Sequence, residues 1–187
     1  MRTPHISLFC SLAQLAIAAA APIHSPSALA QVAAPMTGMA SPKPAALPST
    51  GLTLTVKDKA TTFSVADLAA MPQKIVKVHN AHTNADESYT GILLSDLLAK
   101  AGFLADKTTQ QTLLHSIVRA EGTDKYWVIY SATEVEGSEH AGDVIVAISQ
   151  DGHGLGADGN LKLISTDDKK PQRWVRNLTS ISLNTVP

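Results

Sequence analysis

Apolar and polar residues alternate along much of this chain, and runs at helical spacing are few and short. Leu52-Thr-Leu-Thr-Val56 alternates, Lys57-Asp58-Lys59 makes a turn, and Ala60 to Phe63 resumes, which predicts a β-hairpin. Ser64-Val-Ala-Asp67 has capping-box spacing, with Asp where Glu is usual, and predicts a short helix closed by Pro72. Ile75-Val-Lys-Val78 predicts a further strand, and the polar stretch from His79 to Ser88 a loop or hairpin tip. Tyr89 to Leu94 returns to the core. Ser95 stands where it would cap an amphipathic helix, Asp96 to Ala101, stopped by Gly102.

Leu113 to Val118 and Tyr126 to Tyr130 predict two strands around a turn at Gly122-Thr-Asp124. Ser131-Ala-Thr-Glu134 is a second capping box, for a helix of little more than one turn. Asp143 to Ile148 is almost continuously apolar, as a buried central strand would be. Two alternating strands close the chain, one over Leu161 to Ile164 and one reaching Leu183. Strands outnumber scattered short helices, so the expected class is a mixed α+β domain and not a regular βαβ series.

The N-terminus follows another pattern. Arg2 precedes an apolar run from Ile6 to Ala21, and Ala28-Leu-Ala30 before Gln31 fits small-x-small cleavage. Residues 1–30 therefore predict a secretory signal peptide and an exported protein, periplasmic or secreted. The apolar run is short and is followed by Pro22 and His24, so no membrane span is expected after its removal. Residues 31–50, rich in Ala and Pro, predict a flexible linker. Residues 51–187 then form one domain of ordinary size. Cys10 is the only cysteine, so the mature chain is expected to lack disulfides, thiol chemistry and cysteine-ligated metal. With 15 Lys+Arg against 16 Asp+Glu, charge gives no support for nucleic-acid or membrane-surface binding.

Candidate chemistry concentrates near the C-terminus. Beyond the signal the arginines are Arg119, Arg173 and Arg176, and the last two flank Trp174. A guanidinium fork suits phosphate or carboxylate, and an indole gives a flat wall beside it. Taken alone, the same residues read more readily as a core tryptophan with arginine stems packed over its edges, because most aromatic side chains are core residues. Gly154-Leu-Gly156-Ala-Asp-Gly159 matches a dinucleotide fingerprint by letters, but a strand follows it where a helix N-terminus is required. A glycine-rich loop between strands is the better account. As a calcium loop the stretch fails at Lys162, which stands where a bidentate Glu is needed. His79 and His82, near Asp86 and Glu87, could contribute to a metal site, although spacing fixes no third ligand. No nucleophile elbow and no Cys-His pair is present.

Three separated blocks and the C-terminal segment resemble one family. Tyr89-Thr-Gly91-Ile-Leu-Leu94-Ser-Asp96-Leu97-Leu98-Ala-Lys-Ala101-Gly102, Asp124-Lys-Tyr126 with Ser131 and Glu134, Asp151-Gly152 through Ile164, and Arg173-Trp174-Val175-Arg176-Asn-Leu178 are similar, in this order, to the oxidoreductase molybdopterin-binding domain of the sulfite oxidase type. The resemblance implies that fold and a molybdopterin or molybdenum cofactor. It implies a pterin or other anionic small molecule held by Arg173, Arg176 and Lys162, with Trp174 as a wall and Lys169 and Lys170 adding charge. Tyr89 and Tyr126 come with their blocks, with core packing as the main expectation for both. It also implies an exported redox partner protein.

Family enzymes ligate molybdenum through a cysteine upstream of the Tyr-x-Gly block, where this chain reads Val76 to Asp86 without one. His79 or His82 could stand in only as neutral, weaker donors. Lys162, Asn160 and Leu93 replace an arginine and two prolines of the family pattern. Two functions follow from the sequence: a pterin- or anion-binding domain of an oxidoreductase system, or a non-catalytic interaction domain that keeps the fold without cofactor.

Overall fold

The computed structural model describes residues 46–103, 109–137 and 140–186, all within the unit Pro42–Pro187. The expected signal peptide and most of the expected linker lie outside the described residues. Ordered contacts begin ahead of Gly51, because Thr123 Oγ1 donates to Leu47 O at 2.7 Å and Asn160 Nδ2 to Ser49 O at 2.8 Å.

The first hairpin forms as its alternation predicts. β1 (Gly51–Val56) pairs antiparallel with β2 (Lys59–Ser64), and Leu52, Leu54 and Val56 point inward. Ser64 then caps α1 (Val65–Ala69) through a full capping box: its Oγ accepts from Asp67 N at 3.1 Å, and Asp67 Oδ2 accepts from Ser64 N at 2.9 Å. Such a cap contributes roughly 1 kcal/mol. β3 (Lys74–Asn80) and β4 (Ala85–Leu93) make a longer hairpin than the polarity of His79 to Ser88 suggests. The ladder continues through His79↔Asp86 and Asn80↔Ala85, leaving a four-residue tip at 81–84. Asn80 Oδ1 accepts from His82 N at 2.9 Å, so a side chain satisfies the tip's backbone and lets polar residues extend the strand.

α2 (Leu94–Lys100) follows β4 without a loop, so its cap position falls on Leu93 and Ser95 lies inside the helix. The expected strand at Leu113–Val118 is instead a helical turn, α3 (Gln110–Leu114), and then β5 (Ser116–Gly122). Leu113 is buried and Leu114 exposed, a pair that belongs to a helix end, and Ser116 Oγ donates to Thr112 O at 2.7 Å across the junction. β6 (Trp127–Ser131) ends where Ser131 Oγ caps α4 (Ala132–Glu136) by accepting from Glu134 N. β7 (Val144–Gln150), β8 (Lys162–Ser165) and β9 (Leu178–Thr185) complete the chain.

The strands form two sheets, ordered β2-β1-β9-β5-β6 and β3-β4-β7-β8. β1 and β9 run parallel and every other neighbouring pair is antiparallel. One apolar cluster takes Leu54, Val118 and Ile181 from the first sheet, Ile92, Val146 and Leu163 from the second, and Leu97 and Leu98 from α2. A second cluster joins Val76, Val78, Tyr89, Ile145, Ala147, Ile164 and Trp174. Val144 and Val146 of β7 enter the first cluster, Ile145 and Ala147 the second. This two-sided burial explains the unbroken apolar run there and makes β7 the interior strand that the sequence predicts. It also removes the alternation expected over Leu161 to Ile164, where every residue is buried, Lys162 included.

Gly91 faces β7 where a Cβ would meet Val146 O, at the register shift between Thr90 and Gly91. The edge of β8 is covered by Val175, which exchanges backbone bonds with Leu163 at 2.9 and 3.2 Å. That bridge lays Trp174 over the second cluster.

Candidate functional site

A cavity of about 690 Å³ opens where the β3–β4 tip faces the segment from Lys170 to Arg176. Its floor is a directed chain of polar side chains at the edge of the second cluster. Lys162 Nζ donates to Asp158 Oδ2 at 2.7 Å and to Tyr89 Oη at 2.8 Å, and Tyr89 Oη donates to Glu87 Oε2 at 2.8 Å. Glu87 also accepts from Asn80 Nδ2 on both oxygens at 3.0 Å and from Thr83 Oγ1 at 3.0 Å. Glu87 and Lys162 are buried, yet each has partners, as buried charge requires.

Strand geometry assembles this floor. Glu87 and Tyr89 are two apart on β4 and so share a face, and Asn80 sits on the paired strand with its side chain turned inward. Asp158 closes a 3₁₀ turn, Gly156–Asp158, four residues before Lys162. The glycine-rich stretch thus serves as a loop between β7 and β8, and Gly159, at φ 90°, fits against Asn177 where a Cβ would collide.

Aromatic walls stand over the lysine. Its Nζ lies 4.8 Å from the Tyr89 ring centroid and 5.4 Å from that of Trp174. The two rings meet edge to face at 6.0 Å and 78°, and Trp174 Nε1 donates to Ser165 O at 3.1 Å. Burial, reinforced by the bond to Glu87 and its charge, raises the Tyr89 pKa far above the phenol range. The neutral hydroxyl is thereby favoured, and it donates to Glu87 while accepting from Lys162. At the rim, Arg176 is exposed and reaches Asp158 only at 3.8 Å, and Lys170 and His82 are exposed.

The residues singled out from sequence divide. Lys162, Lys170, Trp174, Arg176, Tyr89 and His82 line the cavity. Lys169 is exposed and does not line it. His79 sits on the outer face of β3, paired with Asp86 at 2.9 Å, away from His82. Tyr126 Oη donates to Gln172 O.

Arg173 is turned away from the cavity. Nη1 and Nη2 reach Glu134 at 3.2 and 2.6 Å, and Nε reaches Asp168 Oδ1 at 3.0 Å, with Nη2 also on that oxygen. The guanidinium lies 4.5 Å from the Tyr130 ring, and Tyr130 Oη donates to Arg173 O at 2.6 Å. The bonds to Glu134, followed by those to Asp168, raise the Arg173 pKa further above its already high value. This arginine locks the 3₁₀ turn Pro171–Arg173 to α4.

The sequence does not single out Asn80 or Asp158, and it points to Glu87 only as a neighbour of the histidine pair. The spacings Glu87-x-Tyr89 on one strand face and Asp158 to Lys162 on a turn were the available signals. Neither says that the two pairs meet, because their strands are joined in space through β7.

No family model and no curated protein matches the chain. Among solved structures it is similar to the sulfane dehydrogenase SoxCD from Paracoccus pantotrophus, at 18% identity and a TM-score of 0.57. The match covers 73% of this chain and 39% of that chain. At this identity the likeness shows the fold: a mixed α+β domain resembling the sulfite oxidase-type molybdopterin-binding fold.

That fold implies a molybdenum cofactor, and the donor set tests the implication. Residues 46–187 contain no cysteine. Among the described residues no three His, Cys, Asp or Glu side chains gather as a metal site. The cavity offers one imidazole, His82, and two carboxylates already bonded to neighbouring donors. Molybdenum, which favours a thiolate beside its dithiolene, does not fit this set.

Proposed function

We propose that this chain is the ligand-binding domain of an exported oxidoreductase system. It takes a small anionic organic molecule in the cavity and ligates no metal through its own side chains. A pterin carrying phosphate or carboxylate is the ligand class that the fold favours. One observation carries the reading: a buried lysine, two aromatic walls and two rim cations, Arg176 and Lys170, face a single cavity of the size that small ligands occupy. An electron-transferring partner in the same compartment would act on the ligand, and the chain itself would bind and present it.

The test is to purify the protein from a host that makes molybdenum cofactor, denature it, and assay the supernatant. Oxidised-pterin fluorescence or another organic anion should appear, with molybdenum far below one per chain. Replacing Arg176 and Lys170 together with Ala should empty the protein. An empty wild-type protein, under conditions that load an authentic cofactor-binding protein, would remove the proposal.

One observation favours the second function, an interaction domain. β6 is an edge strand whose outer face exposes Trp127 and Ile129, with the Arg119 guanidinium 5.0 Å from the indole. Exposed aromatic and arginine side chains are enriched where proteins dock.

A further inference from the structure

We infer that the cavity is electrically polarised and takes its ligand head first: a neutral, flat, acceptor-bearing head against Lys162, and the anionic group outward at Arg176 and Lys170. This deepens the anion-binding reading and rests on it. Glu87 accepts four hydrogen bonds from neutral groups, three of them at its two oxygens from Asn80 and Thr83 and one from Tyr89, and donates none. That is the environment of an ionised carboxylate, an acceptor only. Asp158 is also a carboxylate, bonded to Lys162 at 2.7 Å through Oδ2 and 3.8 Å from the Arg176 guanidinium through Oδ1. The floor therefore holds two negative groups and one positive, a net charge of −1, whereas the rim adds two cations.

An ammonium has three N–H donors. Lys162 commits two of them, to Asp158 and Tyr89, which leaves one for a ligand. A single N–H is enough for a carbonyl or ring nitrogen. It is not enough to hold an oxyanion, which would enter a nearly dry floor beside two carboxylates. Each carboxylate near the floor repels an entering oxyanion, and the low effective dielectric of a buried site screens that repulsion poorly. The Trp174 and Tyr89 rings, packed edge to face, add apolar surface beside the lysine, which favours an organic head over a compact inorganic ion. The lysine at the floor is thus a reader of neutral acceptors, and a deeply seated phosphate or sulfate is excluded.

The experiment titrates three probes, inorganic phosphate, unsubstituted pterin and pterin-6-carboxylate, into the full chain and its variants, by calorimetry and pterin fluorescence. Pterin-6-carboxylate should bind tightest. Its affinity should fall about tenfold or more in Arg176→Ala/Lys170→Ala. Inorganic phosphate should bind the wild type weakly, through the rim alone, and gain about tenfold when either floor carboxylate is neutralised. Asp158 is partly exposed, so Asp158→Asn serves if Glu87→Gln does not fold. Phosphate binding that survives loss of the rim cations and is indifferent to both floor variants would overturn the polarity while leaving anion binding intact. Failure of all three probes, or anion binding that ignores Arg176 and Lys170, would overturn the anion-binding reading as well.

Discussion

Arg173 and Lys162 occupy near-equivalent surroundings and do different things. Each cation lies over a tyrosine ring, at 4.5 Å for Arg173 on Tyr130 and 4.8 Å for Lys162 on Tyr89, and each is bonded to an aspartate. Arg173 directs four hydrogen bonds to Glu134 and Asp168 and faces no cavity. Lys162 makes two and opens onto one of about 690 Å³. The guanidinium has the better geometry for an anion, yet its fork is filled from inside the protein. Whether a cation binds ligand is decided by the donors it has left and the space in front of them. The identity of the side chain decides less.

Tyr89→Phe should break the open region most. It removes a buried hydroxyl that accepts from Lys162 and donates to Glu87, leaving each charged group short of a partner. A loss of about 2–3 kcal/mol is expected by urea unfolding, with weakened ligand binding. A loss below about 0.5 kcal/mol would mean that the floor is already hydrated and that the chain of bonds contributes little.

Arg173→Ala tests the closed region. Asp168 is nine-tenths buried and Glu134 nearly so, and both lose their cation, whereas the guanidinium itself is 37% exposed. Between the range for surface pairs and that for buried ones, about 2 kcal/mol is expected. Binding of pterin-6-carboxylate should not change. Weakened binding with unchanged stability would reverse the roles assigned to the two cations.

The two tyrosines sharpen the comparison in alkali. Burial is the main cause that raises both pKa values above the ordinary 10.0, at Tyr89 aided by Glu87 and at Tyr130 by the charge of Asp168. Above pH 10 the unfolded chain releases these protons while the folded protein keeps them. The stabilisation is fully present below the unfolded value and is lost as pH rises through 10 toward the folded one. Stability should therefore fall by about 1.4 kcal/mol per pH unit for each tyrosine, and Tyr89→Phe or Tyr130→Phe should each remove one such increment. An unchanged slope in Tyr89→Phe would show that its hydroxyl ionises in the folded state.

Much of the architecture was legible because local chemistry fixes it. The Ser64–Asp67 box, the β1–β2 hairpin and the apolar run of β7 each depend on residues adjacent in sequence. Leu113–Leu114 was read as strand because two consecutive leucines carry no period, and only the exposure of one shows the helix end. The site was half legible. Lys162, Trp174 and Arg176 are legible through their types and the family resemblance, and Arg173 groups with them only because it flanks the same indole. A 3₁₀ turn at Pro171–Arg173 sends it the other way.

By itself, then, the sequence determined the alternation that makes a mixed α+β domain, the serine caps that start α1 and α4, and the absence of cysteine from residues 46–187 that removes a thiolate ligand. Tertiary structure alone decided that Glu87 and Asn80 meet Tyr89 and Lys162, that Arg173 turns to Glu134, and that Arg176 lies exposed at the rim, 3.8 Å from Asp158. The physical reason is range. Capping and alternation act over two to four residues, whereas the charge balance of the floor is set by β4 and β8, whose Tyr89 and Lys162 lie 73 residues apart in sequence and are brought together on either side of β7.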